Sequence, residues 1–376
     1  MTPTDDSLLQ QEGLARFRVG SAFYRPRSAI ARDLAVLCAS LYRQTHSQLR
    51  VLDAMSGCGV RPLRYLLEAE ADWVWANEGN PEVIPILAAN LACLPRDRYR
   101  LTQHNSLRLC LGCYQRQDFY DLVDIDNFGS PAPHAEAGLW AVRLGGLLYL
   151  TSTDGRSSGG HAPQRSLQIY PAYARCHPAV HEQGLRLLLG HIAQIASARG
   201  LGIEPRFSLF TGQVHRVMVR VVNHITLTPE TYGFLAYCHS CGQFQTVAWR
   251  HLGRVSCICA TPGVVLSGPL WLGPLHDLPT LMAMGKLASS RGWSASTKLL
   301  HSMAAEAYLP PYYYTLAEIG HRGGIDIPRR NDLVKALQLK GYQATVPHLE
   351  AQAIKTNASL AECLAIARTI ATKNMS

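Results

Sequence analysis

Residues 49–64 read LRVLDAMSGCGVRPLR, and this stretch decides the fold. It begins with an apolar run of strand length that ends near Asp53, and a helical pattern resumes at Arg61. Between them, Gly57 and Gly59 allow a tight turn and a close approach of the backbone to a ligand. A strand, a glycine turn and a helix in this order are typical of nucleotide-binding α/β folds, although a plain βα turn without a ligand has the same pattern.

Apolar runs and helical stretches alternate on both sides of this unit. The predicted strands are 49–54, 73–78, 100–105, 120–126 and 145–153, and the predicted helices are 28–42, 61–69, 81–94, 132–144 and 180–200. Two further runs, 206–212 and 214–222, form a candidate hairpin around Gly212. This order predicts βαβ units in a Rossmann-like, mostly parallel sheet, with the hairpin adding an antiparallel strand at or near one edge.

The composition of the 376-residue chain is that of a globular protein, with 47% hydrophobic and 17% charged residues. No run approaches the ~18 apolar residues of a membrane-spanning helix, and the polar, acidic start MTPTDDSLLQQEG lacks the features of a signal peptide. We therefore expect a cytoplasmic protein whose 11 cysteines are reduced or bind metal. The length and a change in composition near residue 224 predict two domains, 1–224 and 225–376.

The chain is basic, with a formal net charge of +9, which favours a polyanionic partner such as nucleic acid. A basic enzyme without such a partner is the alternative. In a predicted winged-helix-like module at about 308–350 and just beyond it, basic residues accompany three tyrosines: Tyr312, Tyr313, Tyr314, Arg322, Arg329, Arg330, Lys335, Lys340 and Lys355. Such a surface can hold RNA phosphates, whereas a solvated helix face with a buried aromatic anchor would have the same composition.

Two features favour a ligand site at the carboxyl ends of the predicted strands. Glu78 ends the second strand, and its distance along the chain from Gly59 is close to the ~20-residue spacing at which an acid binds a ribose diol. Both dinucleotides and S-adenosylmethionine carry that ribose. The segment DIDNFGSPAPH (124–134) follows the fourth strand, and its acid and aromatic residue are typical of amino-group methyltransferases. Asp126 can accept a hydrogen bond from the amine, and Phe128 offers a face on which a base can stack; a capped surface acid and a polar loop are the alternatives.

The chain resembles the tRNA guanine-26 N2-dimethyltransferase family over almost its whole length, with the matching segments in the same order as in the family. The matching segments are AFYRPRSAIARDLAVL, LDAMSGCGVRPLR, DIDNFGSPAPH, TSTDG, EQGLRLLLGHI, GPLWLGPLHD, PPYYYTLAEIG and GIDIPRRNDLVKALQLKGYQATVPHLEAQAIKTNAS. DIDNFGSPAP together with GPLWLG is specific to this family. The resemblance implies a class I S-adenosylmethionine-dependent methyltransferase domain and a smaller α+β C-terminal domain that binds tRNA. It also implies transfer of one or two methyl groups to N2 of guanine 26.

The resemblance also implies roles for individual residues. Together with the residues of the glycine turn, they make up the predicted site. Asp126 would be the catalytic carboxylate, and Phe128 and Phe23 would bracket the guanine or the cofactor. The predicted cofactor-binding residues are Arg32, Asp53, Gly57, Gly59, Arg61, Glu78, Asn105 and Ser106. For Arg32 the alternative is a solvated helix face, whereas Arg61 also follows the glycine turn directly.

Two places depart from the family pattern. Asn105 and Ser106 stand where the family usually has Asp-Ala near the adenine, and Asn105 can still accept a hydrogen bond from the adenine amino group. Asn127 stands where the family has proline, which stiffens the loop. These departures motivate a second hypothesis, a catalytically weak tRNA-binding homologue. A third is an N-methyltransferase that acts on another RNA guanine, and an NAD-linked oxidoreductase would leave DIDNFGSPAP unexplained.

The second domain contains four cysteines in two close pairs, CxxC and CxC: Cys238, Cys241, Cys257 and Cys259. Four thiolates in this arrangement suit a tetrahedral zinc ion, which would stabilise a knuckle at about 237–260. The family often carries CxxC twice, so the shorter second pair is a departure. His239 or His251 could replace one ligand, and a metal-free cluster is the alternative.

Overall fold

The structure is a computed structural model that describes residues 9–259 and 263–373. Residue 260, at the end of the predicted knuckle, lies outside the described residues. The elements of the first part of the chain are β1 (Leu9–Glu12), β2 (Ala15–Arg18), α1 (Ala29–Thr45), β3 (Arg50–Asp53), α2 (Val60–Leu67), β4 (Trp73–Asn77), α3 (Ile84–Leu91), β5 (Tyr99–Thr102), α4 (Ser106–Gln115), β6 (Tyr120–Ile125), α5 (Ala132–Ala141), β7 (Val142–Ser152), α6 (Gly155–Ser158), α7 (Pro163–Ile169), α8 (Val180–Ala198), β8 (Gly202–Thr211) and β9 (Val214–Val222).

The central sheet has seven strands in the order β5-β4-β3-β6-β7-β9-β8. Strands β5, β4, β3, β6 and β7 run parallel, whereas β9 pairs antiparallel with β7, and β8 pairs antiparallel with β9 at the edge. Every residue of β6 is buried. Burial of both faces explains why the strand is apolar except for its two aspartates. The predicted mostly parallel α/β sheet with a closing hairpin is confirmed.

Two predicted helices are shorter in the structure by three residues or more. The helix expected over 132–144 ends at Ala141, because Val142 pairs with Tyr120 and thereby begins β7. The helix expected over 81–94 begins at Ile84, since the three residues before it form a turn. In the first case pairing with a neighbouring strand overrides a local helical pattern.

The remaining elements are β10 (Tyr232–Cys238), β11 (Phe244–Val247), β12 (Val264–Trp271), α9 (Leu278–Ser290), α10 (Ser294–Glu306), β13 (Tyr314–Thr315), α11 (Leu316–Gly323), α12 (Arg330–Leu339), β14 (Ala344–Thr345), β15 (Ala353–Thr356) and α13 (Leu360–Lys373). Strands β11, β10 and β12 form one antiparallel sheet, and β13, β15 and β14 form another. No helix in the described part of the chain combines the length and apolarity that crossing a membrane requires.

Helices α9 and α10 belong by sequence to the predicted C-terminal domain but pack on α1. Met284 of α9 is buried in the same apolar cluster as Leu37 of α1. Across this contact, Ser296 Oγ donates to Asp33 Oδ2 at 2.8 Å. The two halves therefore share part of one core, and the domain boundary at residue 224 stays a prediction.

We expect Met284→Ala to lower the free energy of unfolding by roughly 2–5 kcal/mol, because it removes a fully buried side chain from the core that α9 shares with α1. Met282→Ala is the matched control, since Met282 lies on the same helix but is 47% exposed. Chemical denaturation followed by circular dichroism measures both. Equal stability of the two variants would contradict the packing of α9 on α1.

Candidate active site

A cavity of about 480 Å³, within the usual size range of small-molecule sites, opens at the carboxyl ends of the parallel strands. Ligands of open α/β sheets bind at this edge. The start of β9, which runs the opposite way, also contributes to the wall. The predicted residues that line the cavity are Phe23, Arg32, Gly57, Arg61, Glu78, Asn105, Ser106, Asp126 and Phe128.

The glycine turn and Glu78 form one hydrogen-bonded unit. Gly57 has a φ of 52°, a left-handed conformation that favours glycine, and its N–H donates to Glu78 Oε2 at 2.9 Å. The other carboxylate oxygen accepts from the Asn80 N–H at 2.8 Å. A carboxylate has about four acceptor sites, so Glu78 can still accept two hydroxyl groups. This geometry is compatible with the predicted binding of a ribose diol.

Asp53 and Gly59 lie near the turn but outside the residues that line the cavity. Asp53 is fully buried, and its pKa is raised well above its usual value by burial and then by the charge of Asp124. Gly59 has a φ of 87°, a left-handed conformation that favours glycine, and a Cβ there would lie 2.7 Å from Leu87 Cδ1. Both residues shape the turn from behind the cavity wall.

Asn105 is the N-cap of α4. Its Oδ1 accepts from the N–H groups of Leu107 and Arg108 at 3.1 and 3.2 Å. Both lone pairs of that oxygen are thereby used. A hydrogen bond from an adenine amino group to Oδ1, as predicted, would have to replace one of these capping bonds.

Arg61 connects two strand-end carboxylates in the cavity wall. Its Nη1 donates to Asp124 Oδ2 at 3.0 Å, and its Nη2 donates to Asp126 Oδ2 at 2.8 Å. Tyr65 donates to the same oxygen of Asp124 at 2.6 Å, and the guanidinium lies over the ring of Tyr149. Arg61 therefore holds Asp126 in position, while its predicted contact with the cofactor stays a prediction.

Asp126 is ionised and accessible from the cavity. Burial opposes its ionisation, but the positive charges of Arg61 and Arg216 outweigh that effect and hold its pKa at about 2. Its side chain is 30% exposed, whereas that of Asp124 is fully buried. An ionised carboxylate accepts strong hydrogen bonds, yet one with so low a pKa is a weak base. Asp126 can therefore orient an N–H donor and stabilise positive charge that develops on it.

The loop that follows Asp126 is held by hydrogen bonds. Asn127 Nδ2 donates to the Phe128 carbonyl at 2.9 Å. Gly129 N–H donates to Thr153 Oγ1 at 2.7 Å, and Thr153 N–H donates to the Gly129 carbonyl at 2.9 Å. These three bonds restrict the loop where the family pattern has proline.

Phe23 and Phe128 form an exposed aromatic pair at the mouth of the cavity, with 61% and 72% of their surfaces in solvent. Their rings touch edge to face, with centroids 5.0 Å apart and an interplanar angle of 71°. A planar base cannot lie between rings in edge contact. Bracketing of a base, as the resemblance implies, requires the rings to part; stacking on the free face of Phe128 does not.

Arg32 lies in the cavity wall in an ion-pair network that sequence analysis missed. Its Nε donates to Glu12 Oε1 at 2.7 Å, Tyr24 donates to the same carboxylate at 2.9 Å, and Arg64 donates to it at 2.8 Å. The solvated helix face considered for Arg32 is wrong, because the residue is 5% exposed. Glu12 lies in the short hairpin β1–β2, and only the folded chain brings it to α1.

Sequence analysis also missed Arg216, which reaches the cavity from β9. Arg216 pairs with Thr151 of β7, and Asp126 follows Ile125, which pairs with the preceding residue of β7, Leu150. Arg216 is 3% exposed, and its Nη2 donates to Ser28 Oγ at 3.2 Å. An arginine in the middle of a buried, largely apolar strand is the signal that could have found it.

The four predicted cysteines meet, with every Sγ within 4.8 Å of the others. Cys238 Sγ lies 3.6 Å from Cys259 Sγ, and Cys241 Sγ lies 3.2 Å from Cys257 Sγ. Tetrahedral zinc with Zn–S bonds of ~2.3 Å separates its sulfur ligands by roughly 3.8 Å. The donor set and its spacing therefore fit zinc, and within the described residues no histidine belongs to the group.

A second group of metal-binding residue types, His276, Glu306 and His348, lies in the second half of the chain, with His276 and Glu306 buried. Lys355 Nζ is 3.8 Å from Glu306 Oε2 and therefore supplies positive charge beside the carboxylate. His348 Nδ1 also contacts Glu306 Oε1 directly. This arrangement is an ion-pair network, in which a further cation would be repelled by Lys355.

The basic residues considered for RNA binding lie in different environments. Lys355 is buried and its Nζ lies 2.7 Å from Glu182 Oε1, so it is not available to phosphates. Arg322 fastens the cysteine loop by donating to two of its carbonyl groups. Tyr313 and Tyr314 are buried, as the alternative of an aromatic anchor predicts. The exposed basic residues of the set are Arg329, Lys335 and Lys340, and Arg330 is partly exposed.

Comparisons with known proteins agree with the sequence analysis. A family model described as N2,N2-dimethylguanosine tRNA methyltransferase matches residues 10–368. The chain is 30% identical over 360 residues to a tRNA (guanine(26)-N(2))-dimethyltransferase of Aeropyrum pernix, and the match covers 91% of this chain and 88% of that protein. It is 26% identical to an Aquifex aeolicus protein named as a tRNA (guanine(26)-N(2)/guanine(27)-N(2))-dimethyltransferase, with 94% of each chain covered.

A solved structure also matches almost the whole chain. It is that of Trm1 from Pyrococcus horikoshii in complex with S-adenosyl-L-methionine, with a TM-score of 0.83 and 27% sequence identity. The match covers 95% of this chain and 99% of that chain. The predicted class I methyltransferase fold is thereby confirmed.

For the cysteine group, we expect the purified protein to contain one zinc ion per chain, measured by plasma mass spectrometry. Cys241→Ser should abolish the bound zinc and lower the free energy of unfolding by roughly 4 kcal/mol, because loss of a structural metal removes the energy that closes the loop. Cys93→Ser, an exposed cysteine outside the group, is the matched control. Metal-free protein in which both variants are equally stable would contradict the zinc site.

Proposed function

The chain belongs to the N2,N2-dimethylguanosine tRNA methyltransferase family, and from this premise we infer that it transfers methyl groups from S-adenosylmethionine to the exocyclic N2 of guanine 26 in tRNA. One structural observation carries the proposal beyond the family. An ionised, accessible Asp126 lines the same cavity as the unit formed by Gly57 and Glu78 and the exposed aromatic pair. This is the arrangement that an enzyme methylating the amine of a base requires.

The cofactor-binding end of the cavity comprises the loops after β3, β4 and β5. Glu78 would accept the ribose hydroxyl groups, Gly57 would let the backbone lie close to the cofactor, and Asn105 with Ser106 would face the adenine. When bound, S-adenosylmethionine supplies an electrophilic methyl group on its sulfonium. Arg32 and Arg61, the two arginines predicted to bind the cofactor, are each already paired with carboxylates.

Asp126 would orient the guanine amine by accepting an N2–H hydrogen bond. The lone pair of N2 is conjugated with the ring, so the amine is a poor nucleophile and must be held in line with the methyl group. As the N–C bond forms and the S–C bond breaks, positive charge develops on N2, and the adjacent carboxylate stabilises it. The proton then leaves N2, because the methylated cationic nitrogen is acidic enough for a weak base such as Asp126 or for water to accept it. A second transfer repeats these steps on the methylated amine.

Phe128 would provide the stacking surface for the base, and Phe23 its neighbour at the mouth of the cavity. Guanine 26 must leave the tRNA stack to expose its N2 edge, and stacking on an aromatic ring offsets part of that cost. The 72% exposure of the Phe128 ring leaves a face available for this contact.

We assign tRNA binding to the predicted C-terminal domain, 225–376, and methyl transfer to 1–224. Arg329, Lys335 and Lys340 are the exposed cations that support this assignment. A zinc ion held by the four cysteines would stabilise this half, and Arg322 links its loop to α11.

Transfer of labelled methyl from S-adenosylmethionine to an unmodified tRNA transcript tests the function. We expect label on a transcript with guanine 26 but not on one with adenine 26, and nucleoside analysis would count the methyl groups. Label on both transcripts would indicate another target nucleotide, such as a neighbouring guanine. Binding of tRNA and cofactor without transfer would indicate the catalytically weak tRNA-binding homologue instead.

The same assay tests Asp126. Asp126→Asn should lower the rate of transfer by about 100-fold or more, because it removes the charge that stabilises the developing cation. Asp97→Asn, at an exposed position outside the cavity, is the matched control. Unchanged transfer by the Asp126 variant would contradict the assigned role.

For the C-terminal surface, we expect the triple substitution of Arg329, Lys335 and Lys340 by Ala to weaken tRNA binding and to flatten its dependence on salt, since fewer phosphates are neutralised. Binding of the cofactor should not change. The control replaces three exposed cations of residues 1–224 that lie outside the cavity, Arg16, Arg96 and Arg165. Equal losses in the two triple variants, measured by filter binding over a range of salt, would show that net charge alone matters.

A further inference from the structure

Arg216 is a buried cation in the cavity wall whose hydrogen-bonding capacity is largely unused. Its Nη2 donates to Ser28 Oγ at 3.2 Å, but its Nε and Nη1 are buried and have no partner among the described residues. Leaving buried donors of a charged group unpaired is costly, and such groups are normally satisfied by protein, water or ligand. Because the side chain lines the cavity, a ligand can supply the missing acceptor.

Two of the three other arginines in the cavity wall are already neutralised, and the third, Arg25, is exposed and donates to the Gly212 carbonyl. Arg32 is paired with Glu12, and Arg61 is paired with Asp124 and Asp126. Within the part of the chain that the structure describes, Arg216 forms no ion pair, and burial lowers its pKa. An acceptor on a ligand would therefore gain more from Arg216 than from Arg32 or Arg61, whose charges are neutralised, or from Arg25, whose charge is screened by solvent.

The sheet places Arg216 on the side of Asp126 where the base would lie. Across the sheet these strands follow one another in the order β4-β3-β6-β7-β9. Glu78 follows β4, Asp126 follows β6, and Arg216 lies on β9 opposite Thr151 of β7. The amine must lie between the methyl group and Asp126, so the ring of the base extends away from Glu78. The loop that contains Phe128 is hydrogen-bonded through Gly129 to Thr153, which follows β7.

We propose that Arg216 recognises the carbonyl oxygen O6 of the target guanine and thereby selects guanine over other purines. This inference rests on the proposed function. O6 is an acceptor on the same edge of the base as the N2 amine, and adenine presents an amino donor in its place. Guanine O6 would accept hydrogen bonds from the buried donors of Arg216, whereas a base without O6 would leave those donors unpaired. The cost of unpaired buried donors disfavours such a base strongly.

Two tRNA transcripts separate this role from others: one with guanine 26, and one with 2-aminopurine 26, which keeps the 2-amino group but lacks O6. For the guanine transcript, Arg216→Met should lower kcat/KM by roughly 10- to 100-fold, the effect of losing a buried hydrogen bond from a charged group. For the 2-aminopurine transcript, kcat/KM should change little, so the preference for guanine collapses. Arg216→Lys keeps the positive charge near Asp126 and should retain more of the guanine activity.

Arg220→Met is the matched control, since Arg220 lies on the same strand outside the cavity and donates to the Gly145 carbonyl. It should leave the base preference unchanged. Equal losses on both transcripts for Arg216→Met would overturn the inference and indicate an effect through the charge of Asp126 or through folding. Weaker binding of S-adenosylmethionine with an unchanged base preference would also overturn it, because Arg216 would then bind the methionyl carboxylate. Absence of transfer by the unsubstituted enzyme would instead contradict the proposed function itself.

Discussion

The buried ion pairs of Arg61 with Asp124 and Asp126 are the constraint on which the active site depends. A guanidinium that is 4% exposed must be neutralised, and the two carboxylates that do so come from the end of β6. Removing one partner of such a buried pair typically costs about 3–5 kcal/mol, because it leaves an uncompensated charge. The orientation of Asp126 is therefore coupled to the packing of α2 on the sheet. The same charge keeps Asp126 ionised, as methyl transfer to an amine requires.

Much of the α/β fold could be predicted from the sequence, because its signals are local. The apolar run before Asp53, the positive-φ glycine at position 57 and the acid at position 78 all depend on residues close in the chain. Helix ends were less predictable where pairing with a neighbouring strand ends the helix, as it does after Ala141. The family segments also located Asp126 and Phe128 correctly in the cavity wall, although no local pattern indicates that Arg61 holds Asp126.

The residues that sequence analysis missed or misplaced depend on contacts between distant segments. Glu12 reaches Arg32 and Arg64 only because the hairpin β1–β2 packs on α2 and α3. The same basic residue type can bind a phosphate or form a buried ion pair. Lys355 forms a buried ion pair, because Glu182 of α8 lies opposite it. The cysteines are a favourable case, since two close pairs of thiols form a cluster wherever the chain brings the pairs together.

Arg61 and Asp126 are expected to act as one unit in methyl transfer. A double-mutant cycle of Arg61→Gln and Asp126→Asn, measured as the single-turnover rate of methyl transfer to guanine 26 with saturating cofactor and tRNA, tests it most directly. If Arg61 acts by holding Asp126 in position and ionised, the double variant will be no slower than the slower single variant. If the two losses multiply, Arg61 contributes independently of Asp126, and the claim is wrong.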